Sequence, residues 1–318
     1  MALVEFAEPG LAASREFRFD EWSSTLKSIC GNFQPQRFDK SDRVTGMVQV
    51  WNAAGMDLAH VANDIDQVRR DHSDIRSDYG ENLFLLIQLD GMCGIEQHGR
   101  QSVIAPGDCM LVDSSAPSVF HFGGRYSNHL SVHLPRQLIY SEKSASLDIS
   151  RHLESADPMS TMLRALVAKL VKTDANDKRA PHLRQLLFDT TRQAFARDDE
   201  LSLPPMTESS GGRLEIIQIL IDRHLTEENL TPRWLASRLG ISLRTLQDDF
   251  NAMGTTASSV IRMRRLYLAR DHLVHSKDGS AKPNIADVAY STGFNDISYF
   301  NRCFRKVFDC TPKDMLEN

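Results

Sequence analysis

No apolar run in this chain approaches the roughly 18–20 residues that a membrane-spanning helix needs; the longest lies around Leu83–Ile87. The opening MALVEFAEPG lacks a basic segment followed by an apolar one, so no secretory signal is expected and the cytoplasm is the expected compartment. The five cysteines (Cys30, Cys93, Cys109, Cys303, Cys310) form no CxxC pair and no Cys/His zinc spacing, which points to reduced thiols rather than a disulfide or zinc scaffold. GxSxG, P-loop, HExxH and GxGxxG motifs are all missing. The HGR and GGR turns suit hairpins, not phosphate cradles. Nothing in the chain therefore announces an enzyme or a cofactor, and none is expected.

An overall excess of positive charge is also lacking: the net charge is −5. Its distribution is uneven. Residues 1–210 carry 22 Lys+Arg against 29 Asp+Glu, and residues 211–318 carry 15 against 13. The last third is thus the part that tolerates a polyanion. With 318 residues, 41% hydrophobic and 25% charged, the chain has material for about two globular domains. Residues 198–212, DDELSLPPMTESSGG, join a charge run, a Pro-Pro and a Gly-Gly pair and read as a linker. The expected division is 1–197, the linker 198–212, and 213–318.

Upstream of the linker, residues 19–30 read as a short helix capped by Asp20, with Trp22, Leu26 and Ile29 on one face. Short runs then follow (VTGMVQVW, NLFLLIQL, CGIEQ, QSVIA, CMLVD, SVFHF, HLSVHL), separated by Gly, Pro and Asp turns, which predicts an antiparallel sandwich or barrel. His129 and His133 share a strand face with Ser131 between them; without a carboxylate at ligand spacing they read as pocket or surface histidines. A barrel that holds a small molecule would use Trp51 to stack on a ring and an arginine to hold a carboxylate. Residues 158–172 and 182–197 read as two amphipathic helices that pack on the barrel or on a second copy of the chain.

From Leu214 to Leu316 the periodicity is helical, and two helix–turn–helix units emerge. In LTPRWLASRLGISLRTLQDDFNAM, Thr231 caps and Pro232 opens the first helix, Gly240 ends it, and Ser242 caps the second. Leu246 and Phe250 then face inward, leaving Arg244, Gln247 and Asp248 outside. In NIADVAYSTGFNDISYFNRCFRKVF, Gly293 ends one helix and Asp296 caps the next. Phe300, Phe304 and Phe308 form the buried stripe, with Ile297, Ser298, Asn301 and Arg302 opposite. Between the units, residues 257–275 read as a helix of ~25 Å or more, able to hold two recognition helices about one DNA turn (~34 Å) apart.

The stretch GFNDISYFNRCFRKVFDCTP closely resembles the C-terminal signature of AraC/XylS-family transcription regulators, RRLYLARDHL its linker helix, and LASRLGISLRTLQDDF its first helix–turn–helix. The N-terminal part is more diffusely similar to that family's cupin-like effector domain, through the Trp22 helix, the strand set with PGDCMLVDSSAP, and HLSVHLPR. The resemblance implies an α+β chain: an N-terminal cupin-like β-barrel with helices for effector sensing and dimerisation, then an all-α DNA-binding domain. It implies a homodimer that binds promoter DNA, answers to a small-molecule effector such as an aromatic acid or aldehyde, and activates through RNA polymerase. A cupin-type metal-dependent oxygenase fused to a DNA-binding domain is the alternative. Carried over by motif, the base-contacting positions are Arg244, Gln247, Asp248, Ile297, Ser298, Asn301 and Arg302. Arg suits guanine, Gln and Asn suit adenine, and Ile suits the thymine methyl. Asp248 stands where a basic residue is common in the family, and Asp249 beside it adds negative charge, so the first unit is expected to bind more weakly. Arg262, Arg264, Arg265 and Arg270 are expected at the surface, positioning phosphates.

Overall fold

A computed structural model describes residues 14–53, 55–78, 81–140, 147–149, 151–173, 177–197, 210–275 and 283–317. The chain divides into two units. Met1–Leu134 with Leu147–Asp198 form the first, and Pro135–Ser146 with Asp199–Asn318 form the second. The expected linker lies outside the described residues as far as 209; its last three residues open a helix.

The first unit is built on two sheets whose described pairings are all antiparallel. The larger has the order β1 (Arg15–Arg18), β3 (Arg43–Ala53), β4 (Met56–Asn63), β11 (Ser127–Pro135), β6 (Asn82–Gly91), β9 (Cys109–Asp113), β12 (His152–Leu153). The smaller has the order β2 (Gln34–Gln36), β5 (Gln67–Arg70), β10 (Ser118–His121), β7 (Cys93–Gln97), β8 (Arg100–Ile104). Val61 and Phe84 of the first sheet, and Val68, Ile95 and Phe120 of the second, meet in one apolar cluster. Helix α1 (Phe19–Cys30) adds Trp22 and Leu26 to it. The cap expected at Asp20 is not formed: Arg18 occupies the N-cap position without a side-chain bond, and Asp20 instead lies in the acidic first turn, where it favours the helix dipole. Helices α4 (Pro158–Val171) and α5 (Ala180–Ala194) pack together, close to the expected bounds; α2 (His72–Asp78) fills a β-connection.

The second unit is helical: α3 (Arg136–Tyr140), α6 (Ser210–Arg223), α7 (Pro232–Leu239), α8 (Leu243–Ala252), α9 (Ala257–His275), α10 (Ile285–Ser291), α11 (Ile297–Phe308) and α12 (Pro312–Glu317). It has two apolar clusters. Ile217, Ile221, Leu235, Leu246, Phe250 and Ile261 lead the first; Leu266, Ala269, Val288, Phe300 and Phe304 lead the second. Helix α9 contributes to both and is the spine of the unit. The short α3, reached directly from β11, packs on α6 and α9, and its Leu138 joins the first cluster. Sequence periodicity gave no sign of it, because five residues are too short to show one.

Candidate functional site

The turn between α7 and α8 is assembled as its residue types demand. The Thr231 hydroxyl accepts from the Trp234 amide at 3.2 Å, and Gly240 ends α7 at φ +65°. The Ser242 hydroxyl then accepts from the Thr245 amide at 3.0 Å and starts α8. With Leu246 and Phe250 fully buried, the helical phase leaves Arg244, Gln247 and Asp248 exposed. They line a groove together with Pro232, Asn251 and Ser258. Arg244 and Asp248 approach to 4.0 Å, but their side chains are 91% and 68% exposed, so this pair does little to tie the guanidinium down. Asp249 is a correction. It is buried, and both its carboxylate oxygens accept from Arg213 of α6 at 2.7 and 3.0 Å, so it braces α8 from behind.

The second unit repeats the design. Asn284 caps α10 and Asp296 caps α11, the latter accepting from the Tyr299 amide at 2.8 Å. Gly293 between them has φ +88°, and a Cβ there would lie 2.7 Å from Arg265 Nε, so only glycine fits. Along α11 the rings of Phe300, Phe304 and Phe308 pack in tilted pairs at 5.6 and 4.6 Å, the first two buried and Phe308 half-buried. Opposite them Ser298, Asn301 and Arg302 are exposed and Ile297 is half-buried. Asp309 ends the helix in the left-handed region at φ +54°. Sequence reading overlooked Tyr299. Its ring lies 5.5 Å from the Arg302 guanidinium, and its hydroxyl accepts from Arg262 at 3.3 Å, which orients the exposed face of α11. Its place in the first turn, three residues before Arg302, was the available signal.

Of the four α9 arginines Arg264 is buried, against expectation, and Arg262, Arg265 and Arg270 are half-buried. Arg264 is buried and donates to Asp222 at 2.7 Å, and Arg265 donates to the Leu225 and Glu227 carbonyls at 2.8 and 2.6 Å. Arg270 pairs with Asp271 at 2.6 Å and covers the Tyr267 ring. The Arg265 bonds satisfy carbonyls just beyond α6, and together with the Arg264–Asp222 pair they tie α9 to α6.

In the first unit a small cavity opens between α1 and the sheets. Its walls are mainly aromatic and aliphatic (Trp22, Leu26, Phe33, Phe84, Phe120, Phe122). Asn63, His129 and Ser131 supply its polar points. Trp51 does not line it; that ring stacks on His60 at 5.9 Å. The cavity tryptophan is Trp22, whose Nε1 donates to the Ala62 carbonyl at 3.1 Å. The arginine expected to hold a carboxylate is also absent from the described lining. Among the described residues no group of three or more His, Cys, Asp or Glu is placed to hold a metal ion.

Burial pushes both His129 and His133 down to about 4; His60 beside the first adds to the effect, while Asp57 opposes it at the second. Both are therefore neutral at pH 7. Between about pH 4 and 6.5 the unfolded chain binds the protons that the folded chain refuses. Their contribution to stability is then complete above pH 6.5 and is lost as pH falls toward 4. Denaturant titration should show a loss of about 1–2 kcal/mol per histidine between pH 7.5 and 5. The double variant His129→Gln/His133→Gln should lose that part of the dependence. A wild-type stability that is flat over this range would contradict their burial as neutral groups.

Comparison with known proteins bears on both units. An AraC-binding-like domain model matches residues 22–196, and a helix-turn-helix domain model matches residues 235–318. The chain is 27% identical over 317 residues to the transcriptional activator NphR of Rhodococcus sp., covering 92% of this chain and 87% of that one. It is 29% identical over 159 residues to the HTH-type transcriptional activator RhaS of Escherichia coli, about half of each chain (49% and 53%). The crystal structure of the AraC-like transcriptional activator CuxR matches 88% of this chain and all of its own with a TM-score of 0.52; at 16% identity this is a likeness of fold.

Proposed function

Because the chain belongs to the AraC family of transcription regulators, we propose that it activates promoters by setting α8 and α11 into two successive major grooves, under control of a small molecule held in the barrel cavity. The observation that carries this reading is the repetition within the helical unit. Two capped helix–turn–helix units present Arg244, Gln247 and Asp248 on one helix and Ile297, Ser298, Asn301 and Arg302 on the other. They are joined by a 19-residue spine that spans about 28 Å, close to one turn of the duplex. Arg302 reads guanine and Asn301 adenine; Asp248 suits cytosine N4 and weakens phosphate attraction at the first unit.

Selection of genomic fragments at two salt concentrations tests the reading. The expected product is a motif with two half-elements about one helical turn apart, bound more weakly at higher salt. Arg302→Ala should weaken that site by about 1–3 kcal/mol, roughly 5- to 150-fold, and relax one base position. Unchanged affinity would remove Arg302 from the base-reading set.

Activation is carried over from NphR and RhaS, and contact with RNA polymerase is its proposed route; run-off transcription with and without the protein measures it. The reading assigns the chain no enzymatic step and places it in the cytoplasm. No helix among the described residues is long and apolar enough to cross a membrane. Dimerisation is proposed through α4 and α5, where Met162 and Leu186 each leave about half of their apolar surface open (49%). Leu186→Glu should shift the protein from dimer to monomer in sedimentation without lowering its melting temperature; a dimer that persists would place the interface elsewhere.

A further inference from the structure

Taken as the effector site, the barrel cavity also specifies the chemistry of its ligand, an inference that rests on that reading. Two polar atoms of its lining residues lack partners among the described residues. Asn63 is fully buried, and its side-chain oxygen accepts from the Ile65 amide at 3.3 Å, but its Nδ2 donates to nothing. His129 is more than nine-tenths buried and its Nδ1 is likewise unmatched. Both sit where β4 and β11 pair, with Asn63 opposite Ser127 and His129 opposite Val61. Buried polar atoms without partners are costly in a folded protein, so an amide donor and an imidazole nitrogen left unmatched beside a cavity mark a place where a ligand atom belongs.

The same lining specifies charge. None of its described residues is Asp, Glu, Lys or Arg. The titratable groups present are neutral at pH 7, since burial lowers His129 to about 4 and raises the Cys30 thiol to about 12. The Arg70 guanidinium lies 5.0 Å from the Phe33 ring centroid, but its charge is already matched. It grips both oxygens of Asp78 at 2.6 and 2.7 Å and donates to the Ser114 and Asn32 carbonyls at 2.9 and 3.2 Å. A carboxylate entering this cavity would lose its water and find no free cation, a poor exchange. The walls favour a flat ring: Phe33 and Phe120 already meet edge to face at 5.9 Å, a geometry that extends to an added aromatic.

We infer that the effector is an uncharged aromatic compound bearing a carbonyl or hydroxyl oxygen, which accepts from Asn63 Nδ2 and bonds His129 Nδ1 while Trp22 and the phenylalanines surround the ring. The aromatic aldehyde expectation survives this argument and the aromatic acid does not.

Calorimetric titration of the full chain at pH 7.5 with benzamide, benzyl alcohol, toluene and benzoate tests it. Benzamide or benzyl alcohol should bind at least tenfold more tightly than benzoate. Asn63→Leu, which removes the donor and keeps the volume, should weaken benzamide about tenfold and leave toluene unchanged. A collapsed cavity would instead weaken both, so toluene separates a lost hydrogen bond from lost structure. Benzoate binding as well as benzamide would overturn the neutral class and leave the effector site standing. Silence of every compound would overturn both. Benzamide binding that is indifferent to Asn63→Leu would overturn the assigned contact; His129→Gln gives a second variant against which to read that result.

Discussion

Asp222→Ala should destabilise the helical unit by about 3–5 kcal/mol, the expected cost of removing one partner from a buried ion pair. Asp222 lies on α6 with its side chain 1% exposed. One carboxylate oxygen receives Arg264 Nη1 from α9 at 2.7 Å, and the other receives Arg136 Nη2 from α3 at 2.6 Å. Both guanidiniums are as buried as the carboxylate. The carboxylate thus binds both guanidiniums away from water, and deleting it takes a charged partner from each in a medium that screens poorly. For a unit of about a hundred residues, that loss should lower the melting temperature by more than 10 °C. Arg136→Met makes the contrast. It removes one cation, keeps the Asp222–Arg264 pair, and should cost clearly less. Scanning calorimetry of both variants decides the point. Equal losses would mean that α3, not Asp222, is the common support, and a loss below 1 kcal/mol for Asp222→Ala would show that the cluster is relaxed by water.

This cluster also shows where the sequence could be read and where it could not. The two helix–turn–helix units were legible because independent signals agreed: Thr231, Ser242 and Asp296 at caps, Gly240 and Gly293 at turns, and phenylalanines at helical spacing. Nothing local marked Asp222, because its partners lie 86 and 42 residues away. The strand β4 was missed for a related reason. Seven of its eight residues are buried, so MDLAHVAN shows no alternation. Trp51 and Trp22 are equally good ring-stackers as letters; only the pairing of β3 with β4 and the seating of α1 decide which of them reaches the cavity. Asp249 was decidable from the sequence. It lies three residues after buried Leu246 and next to buried Phe250, on the inner phase of α8, and adjacency to Asp248 wrongly suggested a shared face.

Phe304→Ala should cost about 3–5 kcal/mol, as large an effect as the loss of Asp222, but confined to the other half of the helical unit. Phe304 is fully buried, lies between Phe300 at 5.6 Å and Phe308 at 4.6 Å, and belongs to the cluster that holds Leu266, Ala269 and Val288. The first helix–turn–helix has a cluster of its own, built around Leu235, Leu246 and Phe250. Truncating Phe304 therefore loosens α10 and α11 while α7 and α8 stay packed. Hydrogen exchange should report faster opening in residues 285–317 than in residues 232–252. DNA affinity should fall toward that of a single half-element, with protection of the α8 half-site retained. Arg302→Ala is the partner experiment, because it should weaken the same half-site with no change in melting temperature. Loss of affinity with stability and loss of affinity without it are thus assigned to two residues on opposite faces of one helix, two positions apart. If Phe304→Ala opened both units together, α9 would be acting as a single cooperative rod rather than as a spine between two separable readers.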